Sequence, residues 1–387
     1  MRVAWLTPYL PFPENTGGRI RVARLAHGLA KRAELSLFSC LSQHDSPASV
    51  PPLGDFAPWS HVHTAGRVES LTPFSLKPDP ARRLPRELSR ALSEADARAP
   101  FDAVVVEHCY AIEALPALSR AAIILDEHNV ESDYYRRALR GAPHKLLEYW
   151  SWRRYERAAW KRADEVVTVS ARDAEVVRSE QPGKGVEVSN GTRFDAFRFV
   201  PPSQRTGSSI LYVGMMDYAP NIHAARTLAL EVLPLVRRVV PEATLTLCGR
   251  GAKAEVRALA SEHVQVTGTV PEVFSVFDRH AAYAMPLQHG AGSSLKVLEP
   301  LAAGLPLVAS AFGVRGYQLS SDSYLPADDV PSFAEALIQV LTRRAELDDM
   351  ATKGREAAGR YSWESLGARF AGIVERTVTA RGGHRAA

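Results

Sequence analysis

Short apolar runs alternate with longer mixed segments along the whole chain. In the first half, the runs occupy 3–6, 35–39, 103–107, 122–127, 166–170 and 186–189. In the second half, they occupy 209–214, 243–249, 264–268, 281–286 and 306–310. Short apolar runs with β-branched members, separated by helix-length segments, are typical of parallel strands joined by crossover helices. The pattern therefore predicts an α/β protein with two doubly wound, Rossmann-like sheets.

The segment 191–209 interrupts this rhythm with a proline pair and polar residues, and it predicts a linker between two domains. We expect an N-terminal Rossmann-like domain at 1–198 and a C-terminal one at 205–361. The final segment, 362–380, has apolar residues at helical spacing. It predicts a helix that either caps the second domain or packs back on the first. Ligands of such sheets bind at the carboxyl ends of the strands, so we expect the two domains to face a cleft there.

Composition and charge change this picture little. The 387 residues are enough for two domains, and 46% hydrophobic and 23% charged residues are ordinary for a globular protein. A formal charge of +4 is too small to indicate a nucleic-acid partner. Cys40, Cys109 and Cys248 lie apart beside apolar runs, which indicates buried thiols in a reducing compartment. Neither a signal peptide nor a membrane-spanning run is predicted, so we expect a cytoplasmic protein.

The stretch HGAGSSLKVLEPLAAG at 289–304 carries the strongest chemical signal. Small residues between a predicted strand and a predicted helix let backbone amides approach an anion, and a helix start attracts one. Lys296 adds a full positive charge, and Glu299, on the same side of the helix, can accept hydrogen bonds from a ribose diol. These groups describe a nucleotide site, although a plain helix start with a salt-bridged lysine has the same pattern.

Taken with four other segments, this stretch resembles the donor-binding signature of retaining glycosyltransferases of GT-B architecture. More narrowly, it resembles the family-four bacterial sugar transferases. The other segments are Pro13 followed by Gly17 and Gly18, DEHNVE at 126–131, SNGT at 189–192 and YVGMMDYAPN at 212–221. The resemblance spans nearly the whole chain.

The resemblance implies roles for residues of both predicted domains. Lys296 would bind the donor diphosphate and affect the rate most, and Glu299 would bind the nucleotide ribose. The Gly17–Gly18 turn would lie over the donor phosphates, and His128 would face the donor sugar and help to position it. The other implied donor-binding positions are Asn221 and the backbone amides of Gly292, Ser293, Ser294 and Leu295.

Several nearby residues have competing interpretations. His108 ends another predicted strand and rivals His128, and either histidine has the plain alternative of a hydrogen-bonded residue at a strand end. Arg19 and Arg21 follow the glycine pair and are candidates to add positive charge there. Neither histidine has an H-x-x-H motif or a carboxylate partner at ligand spacing, and a D-x-D motif is absent, so we expect no metal ion.

Two departures from the family pattern bear on activity. Ala291 stands where the family often has a first glutamate, and Met215 and Asn221 stand near the places where many members have an arginine and a lysine. The candidate replacements for the missing charge are Asn221, Arg193 and Arg250.

These inferences predict a retaining, metal-independent glycosyltransferase that uses a nucleotide diphosphate sugar, first of all a UDP-sugar, and no cofactor. In the family's front-face route, the departing phosphate oxygen takes the acceptor's proton, and domain closure brings Gly18 and His128 toward Lys296. Two alternatives stay open: a sugar-nucleotide 2-epimerase, which needs acid–base carboxylates, and a non-catalytic nucleotide-sugar-binding subunit. Three classes of acceptor stay open: a saccharide, a lipid-linked sugar and a small natural product.

The segment HKLLEYWSWRRYERAAWKRADE at 144–165 predicts a helix with aromatic residues among arginines and lysines. One interpretation is a basic aromatic surface for a lipid-linked acceptor or for the inner face of the membrane. The alternative, which we favour, is a long helix whose aromatic residues pack inside and whose charges are solvated.

Overall fold

The computed structural model divides the chain into two compact units, Met1–Ser189 with Trp363–Ala387, and Asn190–Ser362. The structure describes residues 1–14, 16–41, 59–66, 84–118, 120–139, 145–270, 273–289 and 295–386. Each unit contains a parallel sheet with its own hydrophobic core. The α/β, Rossmann-like fold class predicted from the apolar runs is confirmed.

The N-terminal unit has a sheet of seven strands within the described residues, in the order β3-β2-β1-β4-β5-β6-β7. The strands are β1 (Arg2–Thr7), β2 (Glu34–Leu41), β3 (His61–Gly66), β4 (Ala103–Glu107), β5 (Ala122–Glu127), β6 (Glu165–Thr168) and β7 (Val186–Glu187). All neighbours pair in parallel. The chain proceeds outward in one direction from β1 and in the other from β4. The carboxyl ends of β1 and β4 are therefore a topological switch point, where ligands bind in such folds.

Helices cover both faces of this sheet. They are α1 (Gly17–Ala30), α2 (Arg86–Arg98), α3 (Glu131–Ala138), α4 (Leu146–Arg162), α5 (Ala171–Glu180) and the C-terminal helix (Trp363–Ala386), with a 3-10 helix at Cys109–Ala114. Successive side chains of a strand point to opposite faces. Trp5 of β1 accordingly packs in one core with α1 and the C-terminal helix, whereas Leu6 packs in the other core with α2 and α4.

The C-terminal helix packs closely on α1, and two glycines allow this approach. A Cβ atom on Gly28 would lie 2.4 Å from the Gly367 Cα atom, a distance that no real side chain tolerates. Beside this crossing, the Phe370 ring lies 5.5 Å from the Trp5 ring, centroid to centroid. The apolar stripe of the C-terminal helix is thus part of the core of the N-terminal unit.

The C-terminal unit has a sheet of six strands within the described residues, in the order β10-β9-β8-β11-β12-β13. The strands are β8 (Ser209–Val213), β9 (Thr244–Cys248), β10 (Val264–Gly268), β11 (Ala282–Met285), β12 (Leu307–Ala309) and β13 (Leu325–Pro326). The helices are α6 (Ala219–Thr227), continued by a π-helical segment (Leu228–Val232) into α7 (Leu233–Arg237), then α8 (Ala254–Arg257), α9 (Phe274–Asp278), α10 (Leu298–Ala302), α11 (Ala311–Val314), α12 (Val330–Thr342) and α13 (Asp348–Gly359). Its switch point lies between β8 and β11.

Each apolar run that predicted a strand overlaps one, and the helix predicted at 144–165 is α4. Two strands were not predicted. β3, HVHTAG, lies at the sheet edge and has no buried residue, and β13 has two residues, one of them proline. Edge strands need no apolar run, so their sequences carry little signal. Among the helices that the structure describes, none has both the length and the apolar character needed to cross a bilayer.

Candidate active-site residues

Four charged side chains meet at the carboxyl ends of β4 and β5, and we refer to them as the His128 cluster. They are Arg21, Glu107, Asp126 and His128. Arg21 donates from Nε and Nη2 to the two carboxylate oxygens of Asp126, at 2.8 and 2.6 Å. His128 Nε2 donates to Glu107 Oε2 at 2.7 Å and lies 3.7 Å from Asp126 Oδ2. Because three of the four side chains are almost completely buried, each carboxylate needs its cationic partner.

The cluster favours a protonated His128 ring. Burial opposes this charge, but the hydrogen bonds and charges of Asp126 and Glu107 outweigh burial and raise the pKa of His128 to about 9. Burial also raises the pKa of Glu107, as does the nearby charge of Asp126. For Asp126, burial is outweighed by Arg21, which holds the pKa of that carboxyl well below its usual range. At neutral pH, His128 is therefore an imidazolium at the ligand-binding edge of the sheet.

His108 lies against His128 but has the opposite protonation preference. The two ring centroids are 4.2 Å apart. Burial, together with the charge of His128, lowers the pKa of His108 well below its ordinary value, so this ring is neutral. The backbone of His108 has a φ of +62°, a left-handed conformation that costs energy for a residue with a side chain and is concentrated at functional sites. The two rival histidines of the sequence thus belong to one site.

Gly18 lies at this cluster, whereas Gly17 does not touch it. They are the first two residues of α1. A Cβ atom on Gly18 would lie 2.7 Å from the Tyr9 hydroxyl oxygen and 3.4 Å from His128 Nδ1, whereas one on Gly17 would meet nothing within 4 Å. The absence of a side chain at Gly18 is therefore a packing requirement of the cluster.

The expectation that Arg21 supplies charge for a ligand is wrong. Its guanidinium is 1% exposed and binds Asp126 and the carbonyl oxygens of Val188 and Ser189. Arg19 donates to the Phe12 carbonyl oxygen at 2.6 Å. The charge of Arg21 is therefore used within the N-terminal unit, where it links α1 to Asp126 and to the backbone at Val188 and Ser189.

His128 does have carboxylate partners, contrary to what the spacing of the sequence indicated. Glu107, Asp126 and His128 each offer a ligand atom, and these atoms lie within 4.8 Å of one another. Arg21 occupies both oxygens of Asp126, and a fixed guanidinium charge disfavours a second cation beside it. The arrangement is that of two buried ion pairs, and the expected independence from metal stays a prediction.

In the C-terminal unit, Asn221 holds Lys296. Lys296 Nζ donates to Asn221 Oδ1 at 2.6 Å, and the same oxygen accepts a hydrogen bond from the Tyr212 hydroxyl at 2.9 Å. Asn221 Nδ2 donates to the Met215 carbonyl oxygen at 2.8 Å. Asn221 is 2% exposed, so its amide makes these three contacts inside the C-terminal unit. Asn221, predicted to bind the donor, thus positions the lysine.

The pKa values of Lys296 and Glu299 are both shifted toward neutral pH. Burial lowers the pKa of Lys296 to about 8, against the charge of Glu299. Burial raises the pKa of Glu299 to about 7, against the charge of Lys296. Paired shifts of this kind are typical of functional sites. An anion bound beside Lys296 would favour its ammonium form.

The helix dipole contributes less here than the sequence indicated. Lys296 lies in a 3-10 turn, Leu295–Val297, and the helix that follows, α10, has five residues. A short helix has few aligned peptide dipoles. The positive charge of this site therefore depends on the side chain of Lys296.

The remaining predicted residues lie outside the described part of the chain or in separate surroundings. Ala291, Gly292, Ser293, Ser294 and the side chain of Leu295 lie outside the described residues. Arg250 Nη2 lies 3.7 Å from Met215 Sδ, beside the segment that Asn221 contacts. Arg193 lies over the Phe274 ring, with Cζ 4.9 Å from the ring centroid. Arg250 thus contacts Met215, the residue whose carbonyl oxygen accepts the hydrogen bond of Asn221.

Two protein-family models match the sequence, one in each half of the chain. Residues 16–194 match Glycosyltransferase Family 4, and residues 207–343 match Glycosyl transferases group 1. A phosphatidyl-myo-inositol mannosyltransferase from Mycobacterium leprae is 26% identical over 205 residues, which is 50% of this chain and 54% of that protein. The match thus spans about half the length of this curated relative.

Two solved structures have a similar fold. A sucrose-phosphate synthase from Thermosynechococcus elongatus has a TM-score of 0.70 at 18% identity, covering 98% of this chain and all of that one. HepE from Anabaena, in complex with UDP and glucose, has a TM-score of 0.64 at 13% identity, covering 97% of this chain and all of that one. At these identities, the likeness concerns the two-domain fold alone.

Proposed function

Because the chain belongs to the family-four glycosyltransferases of GT-B architecture, we propose that it transfers a sugar from a nucleotide diphosphate sugar to a hydroxyl acceptor. The observation that carries the proposal is the ammonium group of Lys296, held by Asn221 and electrostatically coupled to Glu299. A diphosphate leaving group gains negative charge as its bond to the sugar breaks. One positioned hydrogen-bond donor at such a site stabilises the transition state by about 3 kcal/mol.

The donor roles follow from the chemistry of these groups. The Lys296 ammonium binds the diphosphate, and the Glu299 carboxylate accepts hydrogen bonds from the ribose hydroxyls. A UDP-sugar is the first candidate donor, which is supported by the UDP in the structurally similar HepE complex. Retention follows if the departing phosphate oxygen accepts the proton of the acceptor. No separate base is then required, and the charge of Lys296 serves in place of a divalent metal ion.

A panel of nucleotides and a transfer assay test this proposal. We expect UDP to raise the melting temperature more than GDP or ADP, and transfer from the matching sugar nucleotide to persist with EDTA and to retain the anomeric configuration by NMR. Lys296→Met should lose roughly a hundredfold in kcat. The control is Lys353→Met, because Lys353 lies on the surface in ion pairs with Asp322 and Asp349. Inversion at C2 without acceptor, or binding without transfer or hydrolysis, would favour the epimerase or the non-catalytic subunit instead.

A lipid-linked acceptor is favoured by the first turns of α4. Leu146, Leu147 and Trp150 are 49%, 82% and 52% exposed, and Arg153 lies over the Trp150 ring at 5.4 Å. We call these four residues the α4 patch. Trp152 and Trp160 are buried, so the packing interpretation of this helix holds for these two aromatic residues. Exposed apolar side chains beside arginines suit an anionic membrane surface, and the lipid-modifying mannosyltransferase relative supports such an acceptor.

Co-sedimentation with vesicles tests the α4 patch. We expect the protein to pellet with phosphatidylglycerol vesicles more than with phosphatidylcholine vesicles, and Leu147→Gln combined with Trp150→Gln to abolish the difference. Leu230→Gln is the matched control, because Leu230 is 54% exposed in the other unit. Equal pelleting with both lipids, or an unaffected double variant, would reject the membrane contact.

A further inference from the structure

Glu107 is buried at the end of β4, and both of its carboxylate oxygens are used. Oε1 accepts a hydrogen bond from Trp5 Nε1 at 2.7 Å, and Oε2 accepts one from His128 Nε2 at 2.7 Å. The Glu107 side chain is 0% exposed. Since Trp5 lies on β1 and His128 follows β5, this one carboxylate connects three neighbouring strands at the switch point. Its position is therefore fixed by the sheet.

We propose that Glu107 is a positioning residue, which holds His128 by Nε2 so that Nδ1–H is the donor presented to an oxygen atom of the sugar nucleotide. The identity of this ligand rests on the proposed function. The geometry of the ring does not, because an imidazole whose Nε2–H is bound to a carboxylate has one other nitrogen. Nδ1 lies on the side of Gly18, which carries no side chain; a Cβ atom there would lie 3.4 Å from Nδ1 and 2.7 Å from the Tyr9 hydroxyl oxygen.

The charges around His128 support the cationic form of the ring. Arg21 on α1 faces Asp126 on β5, and Glu107 on β4 faces His128. Two cations and two carboxylates make the cluster neutral. Among the described residues, the other titratable groups near the ring are His108 after β4 and Glu131 on α3, and the Tyr9 hydroxyl after β1 lies 3.4 Å from His108 Nε2.

His108 provides an internal reporter of the charge on His128. Burial comes first among the causes that lower the pKa of His108, and the charge of His128 comes second. If Glu107 keeps His128 protonated, removal of the carboxylate lowers the pKa of His128 and, as a consequence, raises that of His108. A purely structural role of Glu107 would not move the two values in opposite directions.

NMR titration of the ligand-free protein tests the assignment without any assay of transfer. In the wild type, both ring nitrogens of His128 should carry protons at neutral pH, and a neutral ring would overturn the proposal whether or not any variant folds. In Glu107→Gln, which keeps an acceptor for Trp5, the pKa of His128 should fall and that of His108 should rise. An unchanged His128 would also overturn it.

Trp5→Phe is the matched control, because it removes the other hydrogen bond of Glu107 and keeps the carboxylate. It should reduce stability and leave the pKa of His128 unchanged, and equal shifts in both variants would reduce Glu107 to a structural role. In the transfer assay, Glu107→Gln should reduce kcat roughly tenfold to a hundredfold, as carboxylates that orient a histidine do in metal sites. An unchanged kcat and pH profile, in an active wild type, would reject the positioning role and leave the proposed function intact. A wild type without transfer activity would reject the proposed function, while the titration would still decide the ring geometry.

Discussion

Lys296 Nζ lies 2.6 Å from Asn221 Oδ1, and that oxygen also binds the buried hydroxyl of Tyr212. The amide of Asn221 carries no charge, so it orients the ammonium without neutralising it. A carboxylate in its place would fix the lysine equally well but would cancel the charge that an anionic ligand needs. The lysine is therefore positioned before a ligand binds, which lowers the entropic cost of binding.

Replacing Asn221 should weaken nucleotide binding. In Asn221→Ala, Lys296 loses its hydrogen-bond partner, and we expect the affinity for UDP to fall about tenfold, or ~1.4 kcal/mol. The free energy of unfolding should also fall by about 1–3 kcal/mol, because the Tyr212 hydroxyl loses its partner inside the core. Calorimetric titration with UDP measures the first effect and denaturation the second.

Tyr212→Phe is the control for this variant. It removes the other hydrogen bond to Asn221 Oδ1 and leaves the contact between Asn221 and Lys296, so UDP affinity should stay close to that of the wild type. If Asn221→Ala binds UDP as the wild type does, Asn221 does not position the lysine for binding.

Nucleotide affinity should depend on pH on both sides of neutrality. Lys296, with a pKa of about 8, loses its charge as the pH rises through that value, so binding of the diphosphate should weaken. Glu299, with a pKa of about 7, becomes protonated as the pH falls through that value, so its hydrogen bonds to the ribose should weaken. Calorimetric titration with UDP between about pH 6 and pH 9 should show a maximum between these limits.

Two variants separate the limbs of this profile. Lys296→Arg keeps its charge throughout this pH range, so its affinity for UDP should not fall at alkaline pH. Glu299→Gln has no carboxylate to protonate, so its affinity for UDP should be lower than that of the wild type but should not fall further at acid pH. The ionisation of UDP itself is common to every protein in the series and cancels in the comparison. A profile that has the same shape in all three proteins would show that neither residue titrates at the binding site.

The fold could be predicted from the sequence because buried parallel strands require apolar runs, such as AVVVE in β4 and AIILDE in β5. The pairing of Glu107 with His128 could not, because it depends on the register of these strands. In that register, Glu107 of β4 lies beside Asp126 of β5. The burial of Arg21 against Asp126 could not be predicted either, because these two residues are far apart in the sequence and meet only in the folded unit. Lys296 and Glu299, in contrast, lie on one turn, so their spacing indicated their proximity.

The two glycines at the start of α1 should respond differently to the same substitution. An alanine at Gly18 would place its Cβ atom 2.7 Å from the Tyr9 hydroxyl oxygen, and we expect a loss of about 1–3 kcal/mol in the free energy of unfolding and a lower turnover. An alanine at Gly17 meets open space and should be neutral or stabilising by up to about 1 kcal/mol. Thermal denaturation compares the stabilities of the two variants. Equal stabilities would show that the cluster can accommodate a methyl group at position 18.

The crossing of α1 and the C-terminal helix should be sensitive to a single methyl group. In Gly28→Ala, the new Cβ atom would lie 2.4 Å from the backbone of Gly367, which cannot move aside as a flexible side chain does. The helices must separate, and we expect a loss of about 1–3 kcal/mol in the free energy of unfolding, measured by urea denaturation. Gly382→Ala is the control in the same C-terminal helix: its Cβ atom meets nothing within 4 Å. There, alanine should be neutral or stabilise the helix by up to about 1 kcal/mol. If Gly28→Ala is as stable as the control, the two helices do not pack backbone to backbone at this crossing in solution.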